Sequence, residues 1–101
     1  MQSERVLQAY RQADEFGLLN RFEQTEEEIG ELLQAICKYK RMLNKDKTLR
    51  MPKTVVEYNI AEEIADVELC LLELKYLLQN KYTVEEIIKD KLDRTEKEME
   101  K

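Results

Sequence analysis

Two glycines, Gly17 and Gly30, and one proline, Pro52, are all that interrupt a chain of 101 residues. Average usage would supply about seven glycines and five prolines per hundred residues. A β-sandwich or barrel needs a turn every ~8–12 residues, and this chain lacks the residues that make one. Leu, Glu and Lys dominate it, and all three enter a helix at little entropic cost. The expected fold is all-α, a four-helix bundle-like chain forming a single domain over residues 1–101. A domain this short hides only about two thirds of its unfolded surface, so association with further copies would help it.

The apolar period places the helices. The first runs from about Ser3 to Phe16, with Val6, Leu7, Tyr10 and Ala13 as its inward side, and Gly17 breaks or bends it. The second runs from about Arg21 to Leu43. Asn44 to Thr54 has no apolar period and holds the proline, which predicts a loop. Thr54 and Glu57 have the spacing of a capping box, opening a third helix that runs to about Leu78. Asn80 suits a left-handed residue after its end. Thr83 and Glu86 form a second such box before a fourth helix, which is expected to fray into the charged tail over about 95–101.

Composition removes several chemistries. There is no histidine, so Ser-His-Asp and Cys-His catalysis are excluded, as is the Glu-x-x-His pair of di-iron bundles. No glycine-rich phosphate loop is present. Acids outnumber bases 22 to 17, for a net charge of −5, which opposes general binding to nucleic acid or an anionic membrane. The longest apolar run, Leu69 to Leu72, falls far below the ~18 residues that a bilayer span needs. The N-terminus does not resemble a signal peptide. Cys37 and Cys70 lack metal-ligand spacing and are expected to stay reduced and packed, as suits a cytoplasmic protein.

On a helical wheel, four acids fall where acids should not. Ile29, Leu32, Leu33, Ile36, Tyr39 and Leu43 define the apolar arc of the second helix, with Glu28 inside it and Glu31 at its edge. Ile60, Ile64, Val67, Leu71, Leu74 and Leu78 define that of the third, with Glu63 inside and Asp66 at its edge. Each pair is spaced i, i+3, one turn apart on one face. An ionised carboxylate on a buried face is costly unless protonation, a basic partner or a metal compensates it. Mg²⁺, a hard cation that takes carboxylate oxygens and keeps waters for substrate phosphates, fits such a set, with Mn²⁺ as an alternative. The bland reading is that these are solvated acids in a Glu-rich helical chain. Glu26, Glu27, Glu62 and Glu73 point away from the arcs or to their outer margins; most of them read as plain solvated residues, with Glu27 an alternative support for the metal-binding acids.

At these residues the chain resembles the MazG-like, all-α nucleoside triphosphate pyrophosphohydrolases. Their E-E-x-x-E motif matches Glu27-Glu28-Ile29-Gly30-Glu31, and their later E-x-x-D matches Glu63-Ile64-Ala65-Asp66. The resemblance covers roughly Phe22 to Arg94. It implies Mg²⁺-dependent cleavage of an NTP or dNTP between the α and β phosphates, giving a monophosphate and pyrophosphate. By motif position, Glu28, Glu31, Glu63 and Asp66 would be both the metal ligands and the catalytic groups. One carboxylate would accept the proton of the attacking water. The stretch before Glu28 departs from the family pattern. Many members carry Trp-Gly or a Gln there, whereas this chain has Phe16-Gly17 and Gln24.

Basic side chains are expected to hold the triphosphate. Lys38 lies two turns after Glu31 on the same helix edge. Lys91 and Arg94 lie together beside the apolar line Val84, Ile88, Leu92, and the family is similar in carrying a Lys/Arg pair near its C-terminal helix. The bland reading of all three is ion pairing with nearby acids. Tyr10, Phe16 and Tyr58 are candidates to stack on a base. Ala65, Leu69, Leu72 and Tyr76 form a second apolar stripe on the third helix. A helix apolar on two faces is enclosed on both, which predicts a homo-oligomer, a dimer or tetramer, built through helix three. The alternative function is a non-catalytic helical module that binds nucleotides or a protein partner.

Overall fold

The computed structural model describes residues 2–101, and among these the architecture is all-α. Four helices follow one another: α1 Ser3–Phe16, α2 Leu18–Leu43, α3 Lys53–Leu78 and α4 Lys81–Met99. No helix among the described residues is long and apolar enough to cross a membrane. α2 and α3 form an antiparallel hairpin, α1 packs across both, and α4 touches only α3.

Gly17 joins α1 to α2 with almost no loop. Its N–H donates to the Ala13 carbonyl at 2.9 Å and its carbonyl accepts from Arg21 N–H at 3.0 Å. Its φ of 84° lies where a Cβ would be strained, so glycine serves the junction best. This direct junction lets α2 begin at Leu18 rather than Arg21. The α2–α3 loop is tied at its start. Asp46 accepts from the Arg41 guanidinium at 2.9 Å and from the Thr48 backbone and hydroxyl at 2.8 and 2.6 Å.

The expected capping boxes do not form. α3 begins at Lys53, where the Pro52 carbonyl accepts from Val55 and Val56 N–H, both at 3.1 Å. Thr54 is already helical, and Glu57 faces Lys53 at 3.7 Å instead. α4 begins at Lys81, so Thr83 lies within its first turn and caps nothing. The left-handed residue after α3 is Gln79, φ 54° and ψ 40°, rather than Asn80. The charged tail does not fray from residue 95 but stays helical to Met99.

The buried set is small and made of small residues: Ala9, Ala13, Ala35, Val56 and Cys70, with Thr25 and Glu73. Ala13 faces in as expected, but Leu7, also expected inward on α1, is 60% exposed, and Ala9 is buried in its place. The arcs expected to be core are largely uncovered. Ile29, Leu33, Ile36 and Leu43 on α2 are exposed, as are Ile64, Leu71 and Leu78 on α3. By contrast, α1 covers part of the second α3 stripe, stacking Tyr10 on Tyr76 with ring centroids 4.1 Å apart. Cys37 is exposed, not packed. The radius of gyration is 17.1 Å, against about 13 Å for a compact chain of this length.

The Asp46 carboxyl is lowered to about 2 by its hydrogen bonds from Thr48 and Arg41. A carboxylate held below its unfolded value of 3.8 stabilises the fold above that pH, and the contribution is lost as pH falls towards 2. Asp46→Asn should therefore lower the urea midpoint at neutral pH and converge on wild type in strong acid.

Candidate metal centre

A single antiparallel register builds the centre. Each step forward along α2 is matched by an equal step back along α3. Arg21 opposes Glu73, with 3.4 Å between charges. Glu28 interacts with Asp66, and Glu31 with Glu63. One carboxylate oxygen from each of Glu28, Glu31, Glu63 and Asp66 lies within 4.8 Å of the others. All four residues singled out in the sequence are thus brought together, and Glu28, Glu63 and Asp66 are half-buried.

The electrostatics carry the mark of crowded negative charge. Burial, then the neighbouring Asp66 and Glu31, raise the Glu28 carboxyl above its ordinary range, although a hydrogen bond from Gln24 opposes this. Glu31 is raised first by the charge of Glu63, and Glu63 by desolvation and by Asp66. No basic side chain pairs with any of the four among the described ion pairs. The second oxygens of Glu28 and Glu63 are shut from solvent with no hydrogen-bond donor. An acceptor in that state wants a cation or a proton, and hard oxygen ligands of this number suit Mg²⁺ or Mn²⁺. The residues present therefore fit a divalent ion.

Gln24, whose role the sequence left open, donates from its side-chain amide to Glu28 Oε1 at 2.7 Å. It sits one turn before Glu28 and orients that carboxylate. Glu73, read as solvated, is 5% exposed and pairs with Arg21 while its other oxygen has no partner. Arg21 in turn lies 4.4 Å over the Phe16 ring. Burial pushes the Cys70 thiol up, which removes it as a nucleophile.

Lys38 lines a cleft that shares Glu31 and Glu63 with the cluster. Lys91 and Arg94 do not join it within one chain. They line a separate depression with Thr95, Lys97 and Glu98 on α4, a helix that does not touch α2. Of the stacking candidates, Tyr10 is paired with Tyr76 and Phe16 with Arg21, while Tyr58 is 68% exposed.

Comparison with family models, curated proteins and solved structures gives no match for this chain.

Two outcomes follow from the geometry. Carboxyls raised in the folded state stabilise it below their unfolded value of 4.5 and lose that contribution as pH rises through the folded range. In EDTA, Glu63→Gln should thus be more stable than wild type at neutral pH, with the gap in urea midpoint closing as pH falls towards 4.5 and gone well below it. Gln24→Ala should weaken Mg²⁺ or Mn²⁺ binding by roughly 10- to 100-fold in calorimetric titration, as loss of a ligand's orienting partner does elsewhere.

Proposed function

We propose that the chain is a Mg²⁺-dependent nucleoside triphosphate pyrophosphohydrolase of the MazG-like type, converting an NTP or dNTP to the monophosphate and pyrophosphate. The observation that carries this reading is the meeting of four carboxylates within 4.8 Å, with two shut-off oxygens and no basic partner. Purely structural acids do not converge in this way, because the repulsion is uncompensated. The motif order and spacing support the same reading.

Glu28, Glu31, Glu63 and Asp66 would hold the ion. Bound there, Mg²⁺ would neutralise charge on the phosphate oxygens and lower the pKa of a coordinated water. A carboxylate of the cluster accepts the proton of the attacking water. Gln24 keeps Glu28 oriented. Lys38, the basic side chain of the adjoining cleft, offers its ammonium to the bound nucleotide. No covalent nucleophile is required, in keeping with a chain that has no histidine and a buried, protonated thiol.

The proposal includes self-association into a dimer or tetramer. The exposed rows of α2 and α3, and α4 with Ile87, Ile88 and Leu92 about half exposed or more, leave apolar surface that a lone chain in water would hide.

Incubation of wild type with a panel of nucleotides, with and without Mg²⁺, should release pyrophosphate only with the metal. Glu63→Gln should abolish turnover while keeping the helical circular dichroism; wild-type activity in that variant overturns the site. Sedimentation at micromolar concentration should give a dimer or tetramer, and a monomer overturns the association.

A further inference from the structure

Beside the carboxylate cluster the α2–α3 seam opens into a cleft of about 320 Å³, lined by Glu31, Gln34, Ala35, Lys38, Asn59 and Glu63. Glu31 and Glu63 belong to the cluster too, so cleft and cluster are one continuous site. The cause is legible in the register. The next step beyond Glu31 and Glu63 sets Ala35 against Asn59, and the alanine leaves open a space that a leucine would fill.

The lining identifies the part of a nucleotide that fits. It carries two carboxylates, one ammonium and two neutral amides, so its formal charge is negative. With one divalent cation bound, the four carboxylates of the cluster still carry excess negative charge. A pyrophosphoryl group moved off the metal into this space would meet that excess with Lys38 alone for balance, whereas a neutral nucleoside meets no such penalty. Gln34 and Asn59 each present a carbonyl acceptor and an NH₂ donor, the mixture that a nucleobase edge or a sugar hydroxyl answers, while phosphate oxygens only accept. Neither amide makes a side-chain hydrogen bond among those described. Both are therefore available to a ligand.

We infer that this cleft takes the nucleoside end of the substrate, and that Gln34 and Asn59 are its specificity-determining residues. The inference rests on the hydrolase reading and adds the direction in which the substrate lies: phosphates at the cluster, base and sugar towards Asn59.

Side-chain amide signals in nitrogen-proton NMR test it directly. Titration with the common ribo- and deoxyribonucleosides should move the Gln34 and Asn59 signals, and sodium pyrophosphate with Mg²⁺ should leave them in place. The reverse pattern overturns the inference. In kinetics, Gln34→Ala and Asn59→Ala should each cost roughly three- to tenfold in kcat/KM for the preferred nucleotide, the worth of one hydrogen bond. They should cost less for the others, and Mg²⁺ affinity should be unchanged. Turnover with unaltered selectivity in both variants overturns the inference and leaves the hydrolase reading intact. No turnover of any nucleotide by wild type overturns both.

Discussion

Four acidic side chains meet in the seam of the α2–α3 hairpin because one antiparallel register sets Glu28 against Asp66 and Glu31 against Glu63. A seam centred on carboxylates cannot also be centred on leucines. The residues buried along it are therefore small or polar: Thr25, Ala35, Val56, Cys70. The large apolar rows of both helices are rotated outward. The modest buried core, the extended overall shape and the half-exposed isoleucines all follow from that rotation.

Such a seam sacrifices stability at one place and recovers it at others. Burial raises the Glu28 and Glu63 carboxyls and the charge of Glu63 raises that of Glu31, so without a cation the fold carries repulsion at neutral pH. The register is held against this repulsion by contacts outside the cluster. Arg21 meets buried Glu73 two turns beyond Glu28. Tyr10 stacks on Tyr76, whose hydroxyl donates to Asp14 at 2.7 Å, which fastens α1 to α3. Two alanines of α1, Ala9 and Ala13, allow close approach. The strain sits where a cation would relieve it, the usual relation between a binding site and the scaffold that supports it.

Helix content was legible in sequence because so little else was on offer: with Gly17 and Pro52 as the main interruptions, the limits of α1 and the ends of α2 and α3 followed. The start signals at Thr54 and Thr83 cap nothing. There a backbone carbonyl at Pro52, or a continuing turn after Asn80, served in place of a side chain. The four cluster residues were legible because acids in an apolar arc are anomalous on a wheel. Glu73 was not, since its partner Arg21 lies 52 positions away in sequence and no local spacing reveals it. Gln24 was visible but had no assignable role until its amide was seen on Glu28. Gln34 and Asn59 gave no signal at all, because no local spacing shows that amides on two different helices line one cleft.

The sequence by itself determined that this chain is helical, that catalysis through histidine is closed to it, and that two acidic pairs lie on faces where solvation does not explain them. Periodicity is a local property, and these statements need only the residues within a turn or two of one another. Which face turns inward, which lysines stand near the carboxylates and where the seam opens were decided by tertiary structure. A helix with apolar residues on two sides has no local preference between them. The choice is made by the partner helix, whose register brings opposite one another residues as far apart along the chain as Arg21 and Glu73.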